Sequence, residues 1–261
     1  MMMRVLLLAL MFLSVLPAKA NEIIGAVSQN RVALTANFSG SEILLFGAIR
    51  RDPLEAHFQD PEDTPRFDVV LVIEGPRQTV AVWRKERRAG IWMNTDSVTL
   101  ASVPSFYAVA TTAPLSEIIT PETDAEFRIS AEQAIVGAQG QDLDPEQILF
   151  SQALQRIRTQ SEQFLALDRF VHLDRDILFR ANVQLPANLT EGAYTTRMYL
   201  VRDGAVVNQF RTAIFVRKDG LERWLYQMAY DQPFLYGLIA LAIALFAGWG
   251  ASALFRFVRS G

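Results

Sequence analysis

The stretch Phe67–Pro76, FDVVLVIEGP, decides how the chain is read. Its first eight residues are rich in β-branched and other apolar side chains, and Gly75-Pro76 is a turn signal, so Phe67–Glu74 reads as a strand. Thr79–Trp83 continues as another strand beyond the turn. Upstream, Arg31–Phe38 alternates apolar and small polar residues, and Glu42–Ile49 is a tight apolar run. Ser97–Ala101 and Phe106–Thr112 add two more strands downstream. About six short strands separated by turns predict a mainly β fold, an immunoglobulin-like β-sandwich region.

A helical stretch interrupts this pattern. Asp144-Pro145-Glu146-Gln147 is a helix start, with Asp as N-cap, proline at the first helical position and glutamine three residues after the cap. Phe150, Ala153, Ile157 and Phe164 then fall near one face. A shorter helix is expected around Ala125–Val136. β-structure resumes at Ile177–Leu185, where Phe179, Ala181, Val183 and Leu185 alternate. Ala193–Val201 and Val206–Val216 flank Arg202-Asp203-Gly204-Ala205, and Asp-Gly is a strong hairpin signal. This second β region either completes the first sandwich or follows it as a separate unit.

The ends carry a different message. Residues 1–20 combine Arg4, an apolar run from Val5 to Leu16, Pro17 and the small residues of Ala18-Lys19-Ala20, the pattern of a secretory signal peptide. Residues 234–255, FLYGLIALAIALFAGWGASALF, contain no charge and would span about 33 Å as a helix, which matches the hydrocarbon thickness. Arg256 and Arg259 follow at once, placing the tail in the cytoplasm and the bulk outside. Trp224, Tyr226, Tyr230 and Tyr236 cluster where aromatic rings favour the headgroup layer. Ala240, Ala244, Gly248 and Ser252 repeat every four residues; such a stripe lets another membrane helix approach closely, although small residues are also simply common in membrane helices. The expected division is 1–20 signal peptide, 21–113 β-sandwich region, 114–169 helical insertion, 170–218 β-rich region, 219–232 amphipathic juxtamembrane helix, 233–256 transmembrane helix and 257–261 cytoplasmic tail.

The 261 residues contain no cysteine, which excludes disulfides, thiolate nucleophiles and zinc–thiolate sites. A formal net charge of -3 makes nucleic acid an unexpected partner. His57 and His172 are the two histidines. His57 lies among Asp60, Glu62 and Asp63, which describes an ordinary polar loop more simply than a metal site. His172, Asp174 and Asp176 have the spacing of one strand face, read as a strand edge rather than a ligating trio. Ser105 has no local base. No catalytic residue, metal or cofactor is expected.

The densest positive patch is Arg84-Lys85-Glu86-Arg87-Arg88, with Trp92 close behind. It reads first as a solvated hairpin whose charges blunt a strand edge. It also fits a weak site for an anion, an acidic partner or lipid headgroups, built on Arg84, Lys85, Arg87, Arg88 and Trp92. Ile91-Trp92-Met93 beside it is expected to be core rather than an exposed docking patch.

Several segments resemble a family of alphaproteobacterial transmembrane proteins without an assigned activity. They are FSGSEILLFGAI at Phe38–Ile49, VVLVIEGP at Val69–Pro76, RKERRAGIWMN at Arg84–Asn94, VPSFYAVAT at Val103–Thr111 and the block Leu178–Gly204. The YGL that opens the span also fits. The resemblance covers nearly the whole chain after residue 20, and it implies association with a sulfite-exporter-like permease. The expectation is a membrane-anchored periplasmic accessory protein of the bacterial inner membrane, non-enzymatic, whose span packs against a membrane-protein partner or a second copy. The alternative is a small-anion module for a sulfur oxyanion, and a third reading is a hydrolase of unfamiliar design.

Overall fold

The computed structural model describes residues 21–34, 40–51, 66–140, 144–218, 226 and 228–259, the last eight of these as helical backbone alone. The expected signal peptide, the His57 loop with its acids, and most of the juxtamembrane segment lie outside the described residues.

Among the described residues these elements follow in order: β1 Glu22–Val27, β2 Arg31–Leu34, β3 Ser41–Arg50, β4 Asp68–Glu74, β5 Arg77–Arg88, β6 Ile91–Pro104, β7 Tyr107–Thr111, α1 Leu115–Ile118, α2 Pro121–Phe127, α3 Ala131–Val136, α4 Pro145–Gln160, β8 Phe164–Leu167, β9 His172–Asp174, β10 Leu178–Leu185, β11 Gly192–Arg202, β12 Ala205–Lys218 and α5 Pro233–Arg259. One sheet has the order β1-β3-β10-β9 and a second β2-β12-β11-β4-β7-β8, while β5 and β6 pair with each other as a ribbon. Because β10 pairs with β3 and β11 with β4, the two β regions build one sandwich by sharing strands. The strand order does not carry the immunoglobulin detail: the larger sheet has six strands, and β2–β12 and β7–β8 are parallel.

Strand β4 explains the layering. Its five central residues, Val69–Ile73, are all buried. Side chains alternate across a strand, so Val69, Leu71 and Ile73 face the smaller sheet, with Ile43, Leu45, Phe179 and Val183. Val70 and Val72 face the opposite way, into a second core with Val82, Leu100, Ile129, Phe150 and Leu154. A strand buried on both faces reads as a continuous apolar run, as this one does. Each such side chain contributes about 1.5–3 kcal/mol relative to leaving it exposed. The six-stranded sheet is thus the middle of three layers, covered on its second face by the ribbon and by α2–α4.

Several local expectations need correction. The helix that starts at Pro145 ends at Gln160, and Phe164 is the buried first residue of β8. Glu162, in left-handed backbone at φ 56, separates the two. The buried face of α4 is Phe150, Ser151 and Leu154, while Ile157 is exposed. The single helix expected at Ala125–Val136 is two, divided by Arg128 in left-handed backbone at φ 51. Ribbon strands β5 and β6 run well past Thr79–Trp83 and Ser97–Ala101, because each satisfies the other's backbone hydrogen bonds whatever the side chains. Ile91-Trp92-Met93 is not core: Ile91 is 67 % and Trp92 66 % exposed, since the ribbon has left the sandwich behind at that point. At the β11–β12 turn Asp203 and Gly204 both have positive φ, 52 and 82, as a two-residue Asp-Gly turn requires.

Candidate arginine-lined site and the β5–β6 ribbon

On the second face of the six-stranded sheet the apolar pattern breaks at one end. Thr195 pairs with Glu74 across β11–β4, and Glu74 pairs in turn with Tyr107 of β7. Arg197 lies opposite Arg211 across β11–β12. Directly opposed residues share a sheet face, so Glu74, Tyr107, Thr195, Arg197 and Arg211 all point the same way. A cavity of about 350 Å³ opens there, lined by Glu74, Arg77, Arg128, Thr195, Arg197 and Arg211 among others.

Each side chain has a local reason for its place. Gly75-Pro76 turns the chain at the end of β4, so Arg77 starts the ribbon three residues after Glu74 and its Nε donates to Glu74 Oε1 at 2.5 Å. Thr120 caps α2 by accepting from the Thr123 N–H at 3.2 Å. Within that helix Asp124 Oδ1 accepts from the N–H groups of Ile129 and Ser130 just past its end, at 3.1 and 2.7 Å. That turn holds Arg128 in its left-handed conformation at the cavity rim.

Arg197 is 9 % exposed, and five oxygen acceptors surround its guanidinium. Its Nη1 donates to the Phe127 carbonyl and to Tyr199 Oη, both at 3.0 Å. Its Nη2 donates to Glu74 Oε2 at 3.2 Å, to Tyr107 Oη at 3.1 Å and to the Arg128 carbonyl at 3.4 Å. The Nε is buried and has no partner among the described residues. Burial disfavours the Arg197 charge, but the neighbouring Tyr107, Tyr199 and Glu74 hold the guanidinium above its usual range. Burial pushes the Tyr107 and Tyr199 phenols up, so both stay neutral and donate or accept as the network needs. Tyr107 Oη in turn donates to the carbonyls of Arg128 and Ile129, each at 2.9 Å.

The residues singled out from sequence lie elsewhere. Val82 and Val98 are partners on the ribbon face that turns toward the core. Arg84, two residues on, follows the same face: it pairs with Asp96 at 3.5 Å and Glu146 at 3.8 Å, and lies over the Phe150 ring at 5.0 Å. Lys85 and Arg87 lie on the other face, with Arg87 opposite Trp92 and Lys85 opposite Asn94. Trp83 is on that same outer face, opposite Ser97. Arg88 pairs with Glu86 at 3.3 Å. Arg84, Lys85, Arg87 and Arg88 therefore do not converge; the ribbon instead exposes Trp83, Lys85, Arg87 and Trp92 together.

His172 is exposed on the edge strand β9. Asp174 pairs with Arg180 at 3.8 Å, while Asp176 lies in a left-handed turn with its carboxylate 3.9 Å from Arg51, so the three do not share a strand face. Ser105 is buried in the bend before β7, where its N–H donates to the Pro76 carbonyl at 3.0 Å. In α5 the 19 residues Pro233–Ala251 form a helix long and apolar enough to cross a membrane, and none of that surface is buried against the sandwich. Ala240, Ala244 and Gly248 are on it; Ser252 continues the helical backbone. The arginine cavity escaped sequence reading because its residues are spread from Glu74 to Arg211. One signal was present: Arg197 is a charged residue inside β11, directly before the apolar run Met198–Val201.

A family model described as "Putative transmembrane protein (Alph_Pro_TM)" matches residues 22–257. A search of curated proteins found no match. Among solved structures, the crystal structure of Spo0M, a sporulation control protein from Bacillus subtilis, is similar at 7% identity and a TM-score of 0.28, covering 81% of this chain and 55% of that one. The chain spans about half the length of that protein, and at this score the likeness carries no argument.

Proposed function

The chain belongs to this family of transmembrane proteins, and on that premise we propose that it is a non-enzymatic accessory protein that docks a membrane-protein partner outside the cytoplasm. The observation that carries the reading is the outer face of the β5–β6 ribbon. Trp83, Lys85, Arg87 and Trp92 stand together there in solvent, on a ribbon that projects beyond buried Val82 and its half-buried partner Val98. Aromatic residues and arginine are the side chains that anchor interfaces most strongly. Their partner is a surface with acidic groups for Lys85 and Arg87 and apolar hollows for the two indoles. A sulfite-exporter-like permease is the class that the family resemblance implies.

The apolar helix supports the same reading. A helix exposing Leu238, Leu241, Leu245, Phe246 and Trp249 to water would be unstable, so it belongs in lipid. Arg256 and Arg259 at its end favour the cytoplasm, which leaves the sandwich in the periplasm of an inner-membrane protein. The stripe Ala240, Ala244 and Gly248 offers the same partner a close helix contact.

The test is a photo-crosslinking side chain in place of Trp92, irradiated in native membranes and followed by mass spectrometry of the adduct. An adduct with an integral membrane protein, weakened by Arg87→Glu, is expected. Free monomer as the sole product would end the docking proposal.

A further inference from the structure

We propose that the cavity between β11, β12 and the start of β5 is a binding site for a small, multiply charged oxyanion, held by Arg77, Arg128, Arg197 and Arg211. The inference does not rest on the docking reading above, and it uses none of the ribbon's outer-face residues.

The first argument is charge. Four guanidiniums and one carboxylate line the cavity, so its formal charge is 4 − 1 = +3, in a chain whose formal net charge is -3. Glu74 is already engaged at both oxygens, by Arg77 Nε at 2.5 Å and Arg197 Nη2 at 3.2 Å. Arg128 and Arg211 form no ion pair among the described residues, although both sit at the rim of the same cavity. Guanidinium forks match the geometry of oxyanions and are weakly hydrated, which makes them the side chains best suited to hold such a ligand.

The second argument is strand register. Arg197 and Arg211 are direct cross-strand partners. Like charges in that position destabilise a sheet, and no carboxylate stands between these two in the described residues. Substitution by a neutral residue would relieve the repulsion, so the pair is a stability cost that an anion between the two guanidiniums would remove. Arg197 is fixed in place by Glu74, the two phenols and two carbonyls, which take its terminal N–H groups, so it offers a ligand a preorganised positive charge while Arg128 and Arg211 supply the donors.

The third argument is size and lining. About 350 Å³ suits a phosphate, a sulfate or a small di- or tricarboxylate with its remaining water, and the walls are mainly polar. Ser102 and Thr195 at the wall offer neutral hydrogen-bond partners beside the arginines.

The test uses the full chain in a non-ionic detergent, titrated with inorganic phosphate, sulfate and citrate against chloride at matched ionic strength. Thermal unfolding and calorimetric binding are read together. At least one of the three anions is expected to bind and to raise Tm above the chloride control. Arg211→Gln and Arg128→Gln should each weaken that binding about tenfold, the loss typical of one charge-assisted contact. In the absence of ligand, Arg211→Gln should melt at the same temperature as the parent or higher, because a like-charge pair has gone. A merely structural Arg211 would give the reverse. Arg180→Gln, on the far sheet, should leave binding unchanged. Failure of all three anions to bind, binding that survives the Arg128 and Arg211 substitutions, or a lower ligand-free Tm for Arg211→Gln would each overturn the proposal.

Discussion

Arg197 and Arg211 face each other directly across β11 and β12, and only Arg197 is neutralised from within the sheet, by Glu74 on the strand to its other side. Two identical charges in equivalent positions therefore have different fates. Arg197 lies near the middle of the sheet under the helical layer, with its side chain tied to five acceptors. Arg211 lies one strand nearer the edge and remains exposed.

Removing the carboxylate should expose that difference. Glu74 and Arg197 have side-chain exposures of 13% and 11%, so their pair is largely screened from water. Glu74→Gln leaves Arg197 charged and underpaired, and a loss of about 2–4 kcal/mol is expected, somewhat below the range for fully buried pairs. Arg77→Gln, which removes the more exposed partner, should cost about 1 kcal/mol or less. Urea unfolding of both variants checks the ordering.

Alkaline pH should unfold the sandwich through its buried phenols. Burial pushes Tyr194 from 10.0 up to about 12, while its hydroxyl donates to the Thr190 carbonyl at 2.9 Å. The folded pKa is raised, so the stabilisation is complete below the unfolded value and is lost as pH rises from 10.0 through about 12. Tyr107 and Tyr199 shift in the same direction. Stability measured across that window should fall steeply, and Tyr194→Phe should flatten part of the slope. A slope unchanged in Tyr194→Phe would show that the phenol is accessible in the folded state.

The ribbon should separate binding from folding. Trp92→Ala touches no core and should alter stability by no more than about 0.5 kcal/mol. Leu100→Ala, further down the same strand and fully buried, should cost about 2–5 kcal/mol. If Trp92→Ala proved as damaging as Leu100→Ala in a thermal melt, the ribbon's tip would have to be packed rather than presented.

Orientation is open to a simple reporter test. A fluorescent reporter that matures in the cytoplasm, fused after Gly261, should shine, and a periplasmically active enzyme at the same point should be silent. The opposite pair of results would reverse the topology inferred from Arg256 and Arg259.

The sequence alone determined the parts governed by short-range physics. An apolar run in Val69–Ile73, an Asp-Gly turn at 203–204, the helix start at Asp144 and an uncharged helix before Arg256 each follow from a few adjacent residues, because turn geometry, capping and transfer from water are local. Tertiary structure decided the pairings. That β10 joins β3 and β11 joins β4 was not written in any segment, so whether the two β regions formed one sandwich or two stayed open. The same distance in sequence hid the cavity, where Glu74, Arg197 and Arg211 come from three strands and Arg128 from the turn between α2 and α3. Contiguity misled in the other direction at Arg84–Arg88, where neighbours along a strand point to opposite faces and so cannot converge on one ligand.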